Sequence, residues 1–195
     1  ARANVIREYF WKEGSDPWNH REIYDILDLC LSCKGCKSEC PSNVDIAKIK
    51  SEFLQHWYDR HGVPLRSLFV AYMPYISKAG SLIPSVFNYF AGNDFLSGLI
   101  KRSIKFAVQR PIPLLYRTTL RKWLKNNLPV INPADPVATV YLFIDEFTDL
   151  NDTETGIKAV QLLTELNYRV EYTDNKPSAR TFISKGLLRR ARKII

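Results

Sequence analysis

The sequence predicts a mainly α chain that ends in a partial α/β domain, and three observations carry that expectation. All four cysteines fall within the short run CLSCKGCKSECP, Cys30 to Pro41. On both sides of the run apolar residues recur at three- and four-residue steps, the period of a buried helix face. Near the C-terminus a β-branched run, a helical stretch and a second β-rich run follow one another in the order of a βαβ unit. Three segments follow from this: 1–62, helical and cysteine-bearing; 63–127, helical, basic and connecting; and 137–195, the partial α/β domain.

The chain has 195 residues, of which 46% are hydrophobic and 12% aromatic, enough apolar content for a packed core rather than a disordered tail. Disulfides are not expected. Cysteines three apart on a tight turn rarely reach disulfide geometry, and a chain of this length needs no staples. The opening residues ARANVIREYFWKEG are charged and lack the apolar core of a signal peptide. Residues 63–100 are the most hydrophobic region, but Pro64, Pro74, Lys78, Pro84 and Asp94 interrupt them before a membrane-spanning length is reached. The expected location is a reducing cytoplasm or the periphery of the inner membrane. The missing initiator Met predicts that the chain starts within a longer protein.

Crowded cysteines in such a setting point to metal. The spacing is C-x2-C-x2-C-x3-C-P, the ligand run of bacterial ferredoxins. Cys30, Cys33, Cys36 and Cys40 are therefore the candidate metal ligands of a 4Fe-4S cluster in an all-α, ferredoxin-like cluster-binding unit. Gly35 is expected to supply a positive φ at the tightest bend. Small neighbours, Ser32, Gly35 and Ser38, let amide N–H groups approach the sulfurs. Pro41 is expected to open the next helix. In two-cluster ferredoxins the fourth cysteine of such a run serves the other cluster. Cys40 therefore either closes the same cluster or serves a second one. Structural zinc usually takes two separated ligand pairs, which this run lacks. A zinc-stabilised basic module that docks nucleic acid or protein is the alternative reading. His56 and His61 downstream read as helix-face residues rather than ligands.

The flanks are legible as helices. Ile23, Ile26, Leu27, Cys30 and Leu31 form one stripe, opened by an Asn19/Glu22 capping box or by Asp16-Pro17. After the run, Ser42 or Asn43 is expected to cap a helix with Ile46, Ile49, Phe53 and Trp57 on one face, ending near Gly62. Trp57 and Tyr58 read as core.

The stretch LDLCLSCKGCKSECPSNVDIAKIKSEFLQHWY resembles the iron–sulfur segment of FAD-linked oxidases, the large flavoprotein dehydrogenases of D-lactate and related D-2-hydroxyacids. VYLFIDEFTDLNDTETGIKAVQLLTELNYRVEY, with SARTFISKGLLRRARK, is similar to the opening of their C-terminal cysteine-rich domain of heterodisulfide-reductase type. The resemblance implies electron transfer from an FAD-binding domain elsewhere in the same full-length protein to an acceptor, with no FAD site and no self-sufficient activity in this chain. It departs from the pattern where that domain often carries Cys-Cys-Gly. Here KPSAR, Lys176 to Arg180, has no cysteine.

In the tail itself, Val140–Ile144 reads as a buried strand, Thr153–Leu166 as a helix with Asn167 as its stop, and RVEY as the returning parallel strand. Two strands alone make a weak sheet. Asp145, Glu146, Asp149, Asp152 and Glu154 read as a solvated loop and helix start rather than a hard-metal site. Leu128–Pro136 reads as a linker. No Gly-rich phosphate loop and no Ser/His/Asp set is present, so no catalytic residue is assigned. Charge is uneven. From Phe95 to Ala134 there is no acid but eight cations, including Lys101, Arg102, Lys105, Arg121 and Lys122, and this stretch accounts for the whole net charge of +8. A contact with an acidic protein or a peripheral membrane surface through 95–134 is expected; nucleic acid is not.

Overall fold

The computed structural model describes residues 2–11, 16–175 and 177–195; Lys176, at the head of the KPSAR segment, lies outside them. It is mainly helical with one small parallel sheet, as the sequence predicts. Two compact units are present: residues up to Ala71 together with Ala179–Ile195, and Tyr72–Ser178.

The first unit contains α1 (Arg2–Trp11), a 3-10 turn (Pro17–Asn19), α2 (Arg21–Asp28), α3 (Gly35–Glu39), α4 (Ile46–His61) and the start of α5 (Leu65–Gly80). Asp16 opens the 3-10 turn by accepting from the Trp18 amide. His20, not Asn19, then precedes α2, and no side chain caps that helix, so the expected capping box does not form. Helix α2 stops at Asp28, before the stripe is complete. Ile23 and Leu27 are buried, but Leu31 lies outside the helix and is 90% exposed. The cap of α4 is Asp45, whose side chain accepts from the Lys48 amide at 3.0 Å, rather than Ser42 or Asn43. Gly62 ends α4 with φ +79°, as expected. Ile46, Phe53, Leu54 and Trp57 are buried along α4, and Tyr24 of α2 stacks on Trp57 with ring centroids 5.1 Å apart.

The C-terminal residues belong to this unit too. There α11 (Arg180–Ser184) and α12 (Leu188–Ile194) lie against α4. Ser51 Oγ donates to the Ile183 carbonyl at 2.9 Å, and Arg189 pairs with Asp59 at 2.6 Å.

The second unit holds the rest of α5, then α6 (Pro84–Gly92), α7 (Asp94–Ser103), α8 (Leu120–Ile131), β1 (Ala138–Leu142), α9 (Glu146–Leu150), α10 (Thr153–Glu165) and β2 (Tyr168–Tyr172). The strands are parallel, in register from Ala138↔Tyr168 to Leu142↔Tyr172, so the βαβ order is correct. The first strand lies two residues earlier than predicted. Asp145 caps α9 by accepting from the Phe147 and Thr148 amides, so the chain leaves the sheet after Leu142, and Ile144 is buried beyond the strand. Helix α10 ends at Glu165, and Asn167 takes φ +64° at the turn into β2.

The predicted linker begins inside a helix, which covers 128–131, and only 132–136 are irregular. Leu120, Leu124 and Leu128 bury one face of α8 against Ile144, Val160 and Val170, and α8 runs through Pro129 to Ile131. That burial outweighs the hydrogen bond Pro129 cannot donate.

Candidate metal centre

The loop between α2 and α4 is shaped by residues that leave ordinary backbone space. Ser32 (φ +58°) and Lys34 (φ +61°) are left-handed, and Asn43 (φ +53°) repeats the move on the way out. Gly35 does not play this part; it is the first residue of α3. The two left-handed residues alternate with the first cysteines, so the chain folds back on itself between them. Pro41 sits in the turn after α3 rather than opening a helix, and the Asn43 amide donates to the Cys40 carbonyl at 2.8 Å. Lys34 pairs with Asp45 at 3.4 Å, tying the loop to the cap of α4.

All four thiols are free, with Cys33 and Cys36 exposed and Cys30 and Cys40 half-buried. All four line a single cavity of about 690 Å³. Leu29, Leu31, Val44, Ile46 and Ala47 give it an apolar wall, and Lys34 is the charged side chain on its rim among the described residues. Among the described residues no three His, Cys, Asp or Glu side chains converge closely enough to hold one metal ion. A tetrahedral zinc with bonds of about 2.3 Å draws its sulfurs to within about 3.8 Å of one another.

Backbone donors point at the sulfurs. The Ser32 amide donates to Cys30 Sγ at 3.4 Å. The amides of Val44 and Ser42, with that of Asn43, hold the Cys40 thiol below its usual range against the opposing effect of burial, which favours the thiolate a metal would require. Ser32 Oγ is buried with no hydrogen-bond partner among the described residues, between two residues that line the cavity. An orphaned hydroxyl at this place is satisfied if an acceptor occupies the loop.

The other residues singled out by sequence are explained by packing. His56 lies tilted against Trp18 with ring centroids 4.4 Å apart, and His61 stacks on Trp57 at 3.9 Å. Asp145 caps α9, and Asp149 accepts from the Arg121 amide at 2.9 Å, so these acids serve local structure. Two members of the basic stretch are held by internal contacts, Lys101 buried and Arg121 half-buried. Lys101 is buried, donating to the Val108 carbonyl at 3.1 Å. Arg121 joins Asp149, Asp174 and the carbonyls of Ile144 and Thr173. Arg102, Lys105, Arg110 and Arg117 are exposed. No helix among the described residues is long and apolar enough to cross a membrane.

Sequence reasoning missed Lys50. It is buried, and its ammonium donates to the main-chain oxygen of Cys30 at 2.5 Å. The available signal was its place in the helical period: position 50 falls on the same face as Ile46, Phe53, Leu54 and Trp57, where a charged residue is out of place.

The chain is similar to bacterial D-2-hydroxyglutarate dehydrogenases. It is 26% identical to the protein of that name from Escherichia coli over 96% of this chain and 19% of the relative. The corresponding protein of Pantoea ananatis gives the same figures, and that of Haemophilus influenzae is 24% identical over 96% of this chain and 18% of its own length. The chain thus spans about a fifth of the length of the curated relatives it matches. No protein-family profile and no solved structure matches it.

Proposed function

We propose that this chain is an iron–sulfur electron-transfer segment of a flavin-linked oxidoreductase acting on D-2-hydroxyacids. Cys30, Cys33, Cys36 and Cys40 would hold one 4Fe-4S cluster. The observation that carries the reading is that four cysteines with ferredoxin spacing line one cavity. The donor chemistry fits: amides on Cys30 and Cys40 stabilise thiolate charge, the apolar wall limits water, and Ser32 Oγ has hydrogen-bonding capacity to spare. That Cys40 lines the same cavity favours closure of a single cluster over service to a second one. Such a cluster supplies one-electron chemistry, taking electrons singly from a two-electron flavin donor and passing them on. The chain's own part is to hold the thiolates and fix the loop.

Similarity to the D-2-hydroxyglutarate dehydrogenases supports the substrate class. The FAD and the substrate would be bound by other parts of the full-length protein. For the acceptor side, α7 exposes Phe95, Leu99 and Arg102 at i, i+4 and i+7, with Lys105 just beyond, which suits an anionic membrane surface. Anaerobic reconstitution with iron and sulfide tests the core of this reading. Iron and sulfide bound together support it, whereas stable uptake of one zinc without sulfide contradicts it.

A further inference from the structure

We propose that α6, the turn before it and the exposed face of α7 form an apolar wedge that inserts into the interfacial region of an anionic lipid bilayer. This rests on the membrane reading of α7 above and is independent of the metal. Helix α7 is inside out. Ser97, Gly98 and Lys101 are buried, whereas Phe95 is 80% exposed and Leu99 60% exposed. A helix whose outer face meets only water places its apolar residues the other way. Helix α6 carries no charged residue. Its inner side is fixed to the loop ahead of α8, where Asn88 donates to the Leu115 carbonyl and accepts from the Leu115 amide, each at 2.8 Å. Its outer side shows Val86, Tyr89 and Phe90 at i, i+3 and i+4, and exposed Leu82 and Ile83 precede it. Asn93 alone joins α6 to α7, and the two helices pack on each other. Exposed apolar faces of this kind mark contacts with a protein or a membrane.

Charge selects the occupant. Between Ala79 and Ile100 the sole charged residue is Asp94. Cations stand at both ends, with exposed Lys78 before the stretch and exposed Arg102 and Lys105 after it. No acid follows until Asp135. An uncharged apolar stretch bordered by long cationic side chains suits a bilayer surface. The apolar groups enter the acyl boundary, and the ammonium and guanidinium groups reach the lipid phosphates. A second copy of the chain docked through the same face would bring these cations towards their own like. With nine and ten residues, α6 and α7 are too short to span a bilayer, so they lie along it.

The test is co-sedimentation of the whole chain with vesicles of phosphatidylcholine and phosphatidylglycerol at low and high salt, with the melting temperature measured on each variant. Leu82→Ser with Ile83→Ser removes two exposed apolar side chains and leaves every cation in place. It should weaken binding by at least about tenfold, the loss expected when two side chains no longer leave water, with the melting temperature unchanged. The wild type should keep part of its binding at high salt, because salt screens only the electrostatic share. If the double variant fails to fold, Leu82→Trp decides: its added emission should be quenched by lipids brominated in the acyl chain. Binding that the folded double variant matches and that high salt abolishes, or a Leu82→Trp emission untouched by brominated lipid, overturns insertion and leaves the electrostatic reading of α7 intact. A wild type that binds no vesicle overturns both, and self-association lost in the double variant then assigns the face to a second copy.

Discussion

Gly186 is the position at which a single methyl group should do most damage to the cysteine-bearing unit. It takes φ +70° between α11 and α12, and an added Cβ would lie 2.2 Å from Leu54 Cβ and 3.2 Å from the Leu54 main chain. Leu54 is itself buried, on α4. No rotamer change relieves the clash, because the obstructing atoms are a Cβ and a backbone rather than the end of a flexible side chain. The left-handed conformation costs an L-residue about 1–2 kcal/mol. Overpacking a filled site adds about 1–3 kcal/mol. Gly186→Ala should therefore destabilise by about 2–5 kcal/mol, and the melting temperature should fall on the order of 10 °C for a chain of this size. Urea denaturation followed by tryptophan fluorescence reads the change, since Trp18 and Trp57 both lie in this unit. A loss under about 0.5 kcal/mol, the range of an ordinary surface substitution, would refute the close packing of the C-terminal turn on α4.

In the second unit, Arg121→Met should cost about 2–3 kcal/mol in urea denaturation, because it strips charge-assisted bonds from Asp149 and from the carbonyls that follow both strands. The Lys48 amide above all, and the pairing with Lys34, hold the Asp45 carboxyl below its ordinary range against the opposing effect of burial. Its stabilising contribution is present above the unfolded carboxylate value and is lost as pH falls through the lowered folded value. Asp45→Asn should therefore flatten the acid limb of a stability–pH curve below about pH 4. In metal-free protein, alkylation of Cys40 should show a rate–pH midpoint below that of an ordinary thiol, and mass mapping of the labelled cysteine checks it. Phe95→Glu with Leu99→Glu should abolish sedimentation with vesicles containing anionic lipid; wild-type protein that binds neutral and anionic vesicles equally would contradict the charge argument.

The features legible in the sequence were those with a local physical cause. The βαβ order could be read because β-branched runs and a 3.6-residue period leave distinct patterns, and Gly62 could be read as the end of α4 because a positive φ favours glycine. The cysteine spacing is fixed by the chain itself, and the structure brings all four cysteines to one cavity. The conformation between the cysteines was not legible. Gly35 looked like the bend, yet Ser32 and Lys34 adopt the left-handed backbone, a cost the surrounding loop imposes rather than one local preference predicts. The span of α8 across Pro129 depends on burial of Leu128, a tertiary fact. The return of Ala179–Ile195 to the first unit depends on contacts more than a hundred residues apart, such as Ser51 with Ile183. The uniform basic stretch from 95 to 134 looked like one surface because charge was counted without burial. Lys101 and Arg121 turn out to be structural, which leaves Arg102, Lys105, Arg110 and Arg117 among its exposed members.

What the four thiols hold decides the function, and metal and sulfide analysis of the anaerobically reconstituted protein measures that directly. The expected result is about four irons and about four acid-labile sulfides per chain, with visible absorption that bleaches on reduction. Cys30→Ala, Cys33→Ala, Cys36→Ala and Cys40→Ala should each lower that content. One tightly bound zinc per chain with no sulfide, or full iron and sulfide content after loss of Cys40, would contradict a single cluster held by these four residues.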